Sequence, residues 1–210
     1  MTHSRMARRA VMAGLTAVLA ACAALPPFTV DEAVRRLLRR ATERALARLD
    51  QPGGAWDKFV AGLNLGPGVQ AVLMSPDFHR RLDAWVRPVA LRAVRAAAPR
   101  IAAAVKVMGI TNARAVLAGG PRAATRLLRS EMGPALIEAM VPEFARALDD
   151  PALGPLIATL AALGSEALAR KLARHADDAV WDAIGDEEAA IRADPTAGGD
   201  PQLAGMLAHP

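Results

Sequence analysis

The stretch from Thr29 to Leu49, TVDEAVRRLLRRATERALARL, decides the fold. Thr29, followed three residues later by Glu32, has capping-box spacing, in which the hydroxyl takes a free N–H and the carboxylate reaches back to the cap. Val34, Leu37, Leu38, Ala41, Ala45 and Leu49 then share one helical face, with arginines opposite. Gln51-Pro52-Gly53-Gly54 stops this helix. Trp56 to Gly68 reads as irregular, because glycines and Pro67 interrupt any period.

The same punctuation recurs along the chain. Ser75-Pro76-Asp77 is a helix start, and a helical pattern follows to about Met108, bent at Pro88 and Pro99. Thr111 opens a short helix ending at Gly119-Gly120, read as a left-handed helix end before a new start at Pro121. Gly133-Pro134 separates the next helix from one reaching Leu148. An apolar stretch runs from Asp150-Pro151 to Leu163. Ser165 caps a long final segment to Ile191, with a break expected near His175. The reading is all-α: a single compact bundle of about seven to nine helices. Residues 29–194 form the domain, and 195–210, rich in Pro, Gly and Asp, form a loose tail.

Composition agrees. The 210 residues include 49 alanines and 23 arginines against 3 lysines, and only 3% are aromatic. Alanine, arginine and leucine enter helices at little cost, whereas strand-favouring residues are sparse. A single cysteine excludes an intrachain disulfide framework and a thiolate zinc cluster.

Residues 1–21 read as an export signal. Arg5, Arg8 and Arg9 precede an apolar run from Ala10 to Ala21, too short to span a bilayer as a permanent helix. The run ends in Leu19-Ala20-Ala21-Cys22, which resembles a bacterial lipobox. The expectation is a Cys22 thioether to diacylglycerol, residues 22–28 as a lipidated linker, and a membrane partner reached through the acyl chains. An ordinary signal peptide cut near Ala24 is the competing reading. Ala23 in place of aspartate favours the periplasmic face of the outer membrane over the inner one. Arg8-Arg9 loosely resembles a twin-arginine signal, leaving the export route open. Loss of the three leader arginines lowers the formal charge from +5 to +2.

The segment Met108-Gly109-Ile110-Thr111-Asn112-Ala113 and onward through Gly119-Gly120-Pro121-Arg122-Ala123-Ala124-Thr125 resembles the central motif of the bacterial domain of unknown function family 4197. Leu136, Pro142 and Ala147-Leu148-Asp149 fit the same pattern, as do Glu187-Glu188, Ile191-Arg192 and Asp194-Pro195 near the end. The similarity runs from about Thr29 to Met206, with a poor match over residues 50–80. The resemblance implies an all-helical fold and envelope export, and it supplies no reaction. Three positions depart from the family. Arg87-Pro88-Val89-Ala90-Leu91 stands where relatives carry Asn-Arg-x-x-Glu, Asn112 replaces an aspartate, and Leu127 replaces an aromatic residue.

Charge is unevenly distributed. Arg80 to Arg129 holds eleven basic residues and one acid, whereas Glu131 to Asp200 holds fourteen acids and five basic residues. Either the basic stretch faces an anionic partner or the two stretches face each other within one bundle. Nucleic acid is excluded as a partner, since there are no interleaved aromatics and no recognised binding motif.

His175, Asp178, Asp182 and Asp186 follow at offsets of three, four and four, so they line one helical stripe. That stripe suits either a divalent cation or arginine pairing. His79 and Asp83 are four apart, but no nucleophile accompanies them: Ser75 and Ser165 read as caps, Ser130 completes the post-leader serines, and none lies in a Gly-x-Ser-x-Gly elbow. Gly119-Gly120 lacks the lysine of a phosphate loop. Trp56, Trp85 and Trp181 read as core or groove-lining residues. No cofactor and no catalytic residue is expected. The best reading is a lipid-anchored periplasmic protein with a non-enzymatic interaction or structural role and an envelope protein partner. A carrier holding a lipid or other apolar ligand between helices comes second, with a contiguous cavity of about 300 Å³ or more as its signature. An unrecognised envelope hydrolase comes third.

Overall fold

The computed structural model describes residues 28–62, 86–149 and 164–209, with Pro76, Arg80 and Ala84 as single positions. Cys22 and its leader, Ser75, His79, Asp83, Trp85 and the 150–163 stretch lie outside the described residues. Among those described there is no strand. Eight α-helices of the described residues form one bundle: α1 (Val30–Ala47), α2 (Ala55–Gly62), α3 (Arg87–Val107), α4 (Ala113–Leu117), α5 (Ala123–Met132), α6 (Ala135–Leu148), α7 (Ser165–Ala193) and α8 (Pro201–Ala208). None of them is long and apolar enough to cross a membrane.

The 29-residue α7 is the axis, packed against α1, α2, α5 and α6, while α3 lies on α1 and α6. Where these helices cross, the core holds Leu37, Leu38, Ile101, Leu128, Met140, Phe144 and Ile184, all under 2% exposed. Burying each large side chain contributes about 1.5–3 kcal/mol. Ala33, Ala41, Ala93, Ala97, Ala124, Ala169 and Ala173 are also sealed from solvent, so alanine serves here as close-approach packing as well as helix propensity.

The first helix follows its sequence pattern. Thr29 Oγ1 accepts the Glu32 N–H at 3.2 Å, and Val34, Leu37, Leu38, Ala41 and Ala45 face the core. Only half of the capping box forms, because the Glu32 carboxylate turns to Arg36 at 3.6 Å instead of back to the cap. Pro88 sits in the first turn of α3 and Pro99 inside it. Gly133, at φ 51°, terminates α5.

Five local expectations are corrected. Trp56 to Gly62 is helical, while residues 63–68 of that stretch lie outside the described residues. Trp56 and Phe59 stack at 5.3 Å and are buried against the bundle, so tertiary burial decides the start of the segment. Residues 195–210 are not a loose tail. Thr196–Gly198 forms a 3-10 turn, and α8 docks on α1 through buried Leu203, with Asp200 capping α8 by accepting the Leu203 N–H at 3.1 Å. No break interrupts α7 at His175. Gly164, at φ 71°, precedes α7, and Ser165 is its first residue with no capping hydrogen bond. Finally, neither Gly119 nor Gly120 has a positive φ, so this turn is not a left-handed helix end.

Candidate functional site

The acidic stripe on α7 is neutralised by three arginines and a lysine from elsewhere in the bundle. Arg129 of α5 bridges Asp177, at 3.0 Å, and Asp178. Arg122, which precedes α5, spans Asp182, at 3.1 Å, and Asp186, and Lys58 of α2 also reaches Asp186. Arg48 pairs with Glu187 at 2.8 Å. The two oppositely charged stretches therefore meet, through Arg122 and Arg129. His175 stands apart, its pKa lowered by burial and by Lys171 and Arg174 nearby. The metal-ligand reading of His175, Asp178, Asp182 and Asp186 fails on this geometry: among the described residues no group of three or more potential ligands converges. Asp177, not singled out by spacing, is the buried acid of this region. Burial raises its pKa, against the pull of Arg129 and of the Trp181 indole, which donates to Asp177 Oδ1 at 2.8 Å.

The motif around Gly119-Gly120 has a structural explanation. Glu188 of α7 is fully buried and faces the start of α5. Its carboxylate accepts the Ala124 N–H at 3.0 Å, the Thr125 N–H at 2.7 Å and the Thr125 hydroxyl at 2.6 Å. A carboxylate is favourable there because the first-turn N–H groups are free and carry the positive end of the helix dipole. Arg192, one turn further along α7, donates to Glu188 at 2.8 Å and to the Leu117 and Val116 carbonyls at 2.7 and 3.1 Å. One ion pair thus closes the end of α4 and the beginning of α5. Gly119 is required between them, since a Cβ there would lie 2.7 Å from the Ala123 Cβ and 3.0 Å from the Ala115 carbonyl oxygen. Gly120 is not so confined, with Arg126 at 3.9 Å as the nearest neighbour. Asn112, at φ 63°, caps α4 by accepting the Ala115 N–H at 3.4 Å, in place of the Thr111 start expected from sequence. Pro142 lies exposed inside α6. Ser130 donates its hydroxyl to the Leu127 carbonyl at 2.7 Å.

Between α1 and α3 the bundle stays open. A groove of about 510 Å³ runs there, lined by Glu32, Arg35, Arg39, Thr42, Glu43 and Leu46 from α1 and by Ala98, Ala102, Val105 and Lys106 from α3. Arg35 Nη2 donates to the Met108 carbonyl at 3.2 Å, which puts the first half of α1 beside the end of α3. Thr42 is 5% exposed and its Oγ1 has no hydrogen-bond partner; Arg35 Nε is buried and equally unpartnered. Orphaned polar atoms of this kind are rare in folded proteins, and each carries a desolvation penalty until something satisfies it. The sequence reading allowed for a gap between helices but did not place it, and it assigned to such a gap none of the residues that line this groove. The available signal was Thr42 amid the arginine face of α1 together with Ala98 and Ala102, whose small side chains at i, i+4 leave space opposite it.

Comparison with curated proteins returns no match, and comparison with solved structures returns none. A family model does match, over residues 24–206, described as a protein of unknown function, DUF4197. That span includes the Gly119 turn, the Glu188–Arg192 pair that closes it and both walls of the groove, and the chain belongs to the DUF4197 family.

Proposed function

We propose that this chain is a lipid-anchored envelope protein with a non-enzymatic binding role, receiving a small apolar ligand in the groove between α1 and α3. The observation that carries the reading is the groove itself. Its volume of about 510 Å³ falls within the ~300–1,000 Å³ usual for small-molecule sites, and a buried hydroxyl in its wall has no partner. The arginine pairing along α7 argues in the same direction, because it commits the acids that a metal-dependent reaction would need. The anchor is supported by Leu19-Ala20-Ala21-Cys22. Six residues lie between Cys22 and the Thr29 cap, so acylation there would hold the domain within about 25 Å of the bilayer.

Native mass spectrometry of protein purified from its host envelope tests the binding reading. Co-purified ligand is expected on the parent chain and absent from an Ala102→Trp variant, whose indole fills the groove. A ligand-free parent, or an adduct indifferent to Ala102→Trp, overturns it. The anchor is tested separately with labelled fatty acid, which should enter the parent chain and not Cys22→Ser.

A further inference from the structure

The two ends of the groove differ chemically. Arg35, Arg39 and Lys106 cluster where the first half of α1 meets the end of α3, whereas Leu46 and Ala98 lie at the far end. From Glu32 to Leu46 the α1 wall extends roughly 20 Å at ~1.5 Å per residue, long enough for an alkyl chain with a head group. Arg39 and Lys106 form no ion pair with a described residue. Of the two carboxylates on the rim, Glu32 is engaged by Arg36, and Glu43 lies a turn beyond Arg39 toward the apolar end. The unsatisfied Arg35 Nε can only donate, so whatever completes it must supply an acceptor. An anionic oxygen does so with the strongest geometry, since charge-assisted hydrogen bonds to guanidinium are about twice as strong as neutral ones.

We infer that the groove binds a single-chain amphiphile, its carboxylate or phosphate held by Arg35, Arg39 and Lys106, and its alkyl chain running past Thr42 along Ala102, Ala98 and Leu46. This assignment rests on the ligand-binding reading above and adds the class of the head group.

Calorimetric titration of the full chain with decanoate, decyl phosphate, decanol and decyltrimethylammonium, each kept below its micelle concentration, tests it. Decanoate, decyl phosphate or both should bind saturably at one site, about tenfold or more tighter than decanol and the ammonium. The tighter anion identifies the head group as a carboxylate or a phosphate ester. The double variant Arg39→Ala/Lys106→Ala should bring the anions to the level of decanol, with circular dichroism confirming its helical content. Equal binding of decanol or the ammonium overturns the anionic head group and leaves the groove reading standing. Absence of saturable binding by all four, or saturable binding unchanged by Ala102→Trp, overturns the groove reading itself.

Discussion

The Glu188 carboxylate and the Arg192 guanidinium, one turn apart on α7 and 2.8 Å from each other, hold together two helices to which neither belongs. Glu188 satisfies the opening N–H groups of α5, and Arg192 satisfies the closing carbonyls of α4. Breaking a buried pair from one side leaves the other charge uncompensated, at a cost of about 3–5 kcal/mol. Glu188→Ala and Arg192→Ala should each lower stability by that order in urea denaturation. The double variant should cost clearly less than the two singles combined, because both disrupt one network.

The turn between these helices gives a sharper comparison. Gly119→Ala forces a Cβ to within 2.7 Å of the Ala123 side chain and 3.0 Å of a backbone oxygen, and overpacking of this kind costs about 1–3 kcal/mol. Gly120→Ala meets nothing closer than 3.9 Å. Thermal midpoints should fall for the first and stay near the parent value for the second.

Removal of the C-terminal segment should destabilise the whole domain. Leu203 is 2% exposed on α1, and Asp200 pairs with Arg36 at 3.3 Å and Arg40 at 3.5 Å. Leu203→Ala is expected to cost about 2–5 kcal/mol, and a stop after Asp194 to cost more, both read as loss of denaturation midpoint. A tail without structural weight would leave both midpoints unchanged.

Two buried aspartates should respond to pH in opposite directions. For Asp200, burial is outweighed by the Leu203 N–H and by Arg36 and Arg40, so its pKa lies below 3.8. Its contribution is present above 3.8 and lost as pH falls through the lowered value. For Asp177, burial dominates and the pKa lies above 3.8, so its contribution is complete below 3.8 and declines as pH rises through the raised value. Relative to the parent, Asp200→Asn should therefore be weakest at about pH 7, with the deficit shrinking toward about pH 3. Asp177→Asn should compare more favourably at about pH 7 than at about pH 3. Thermal melts across that range read both.

What could be read from the chain was local. The Thr29 cap, the apolar face of α1 and the Gly133 stop depend on residues within a few positions of one another, and each appears as its pattern indicates. Helix α7 also appears, without the break expected near His175, but whether its acids would meet a metal or basic side chains depended on Lys58, Arg122 and Arg129, far away in sequence. Trp56 and Phe59 went astray for the converse reason: the local glycines are unfavourable, yet burial of two stacked rings outweighs them. Glu188 and Arg192 were legible only as family-motif positions, because their partners lie 63 to 76 residues earlier. A gap between helices was foreseen only in general terms; its place between α1 and α3 depends on how far apart two sequence-distant helices stand.

The long reach of that ion pair bears on how the chain matures. The junction between α4 and α5 is finished by residues synthesised near the end, so no N-terminal fragment stopping short of Arg192 can seal its own bundle. A ribosome that stalls early releases a product with an open seam and exposed apolar faces, and quality control has a long interval in which to see it.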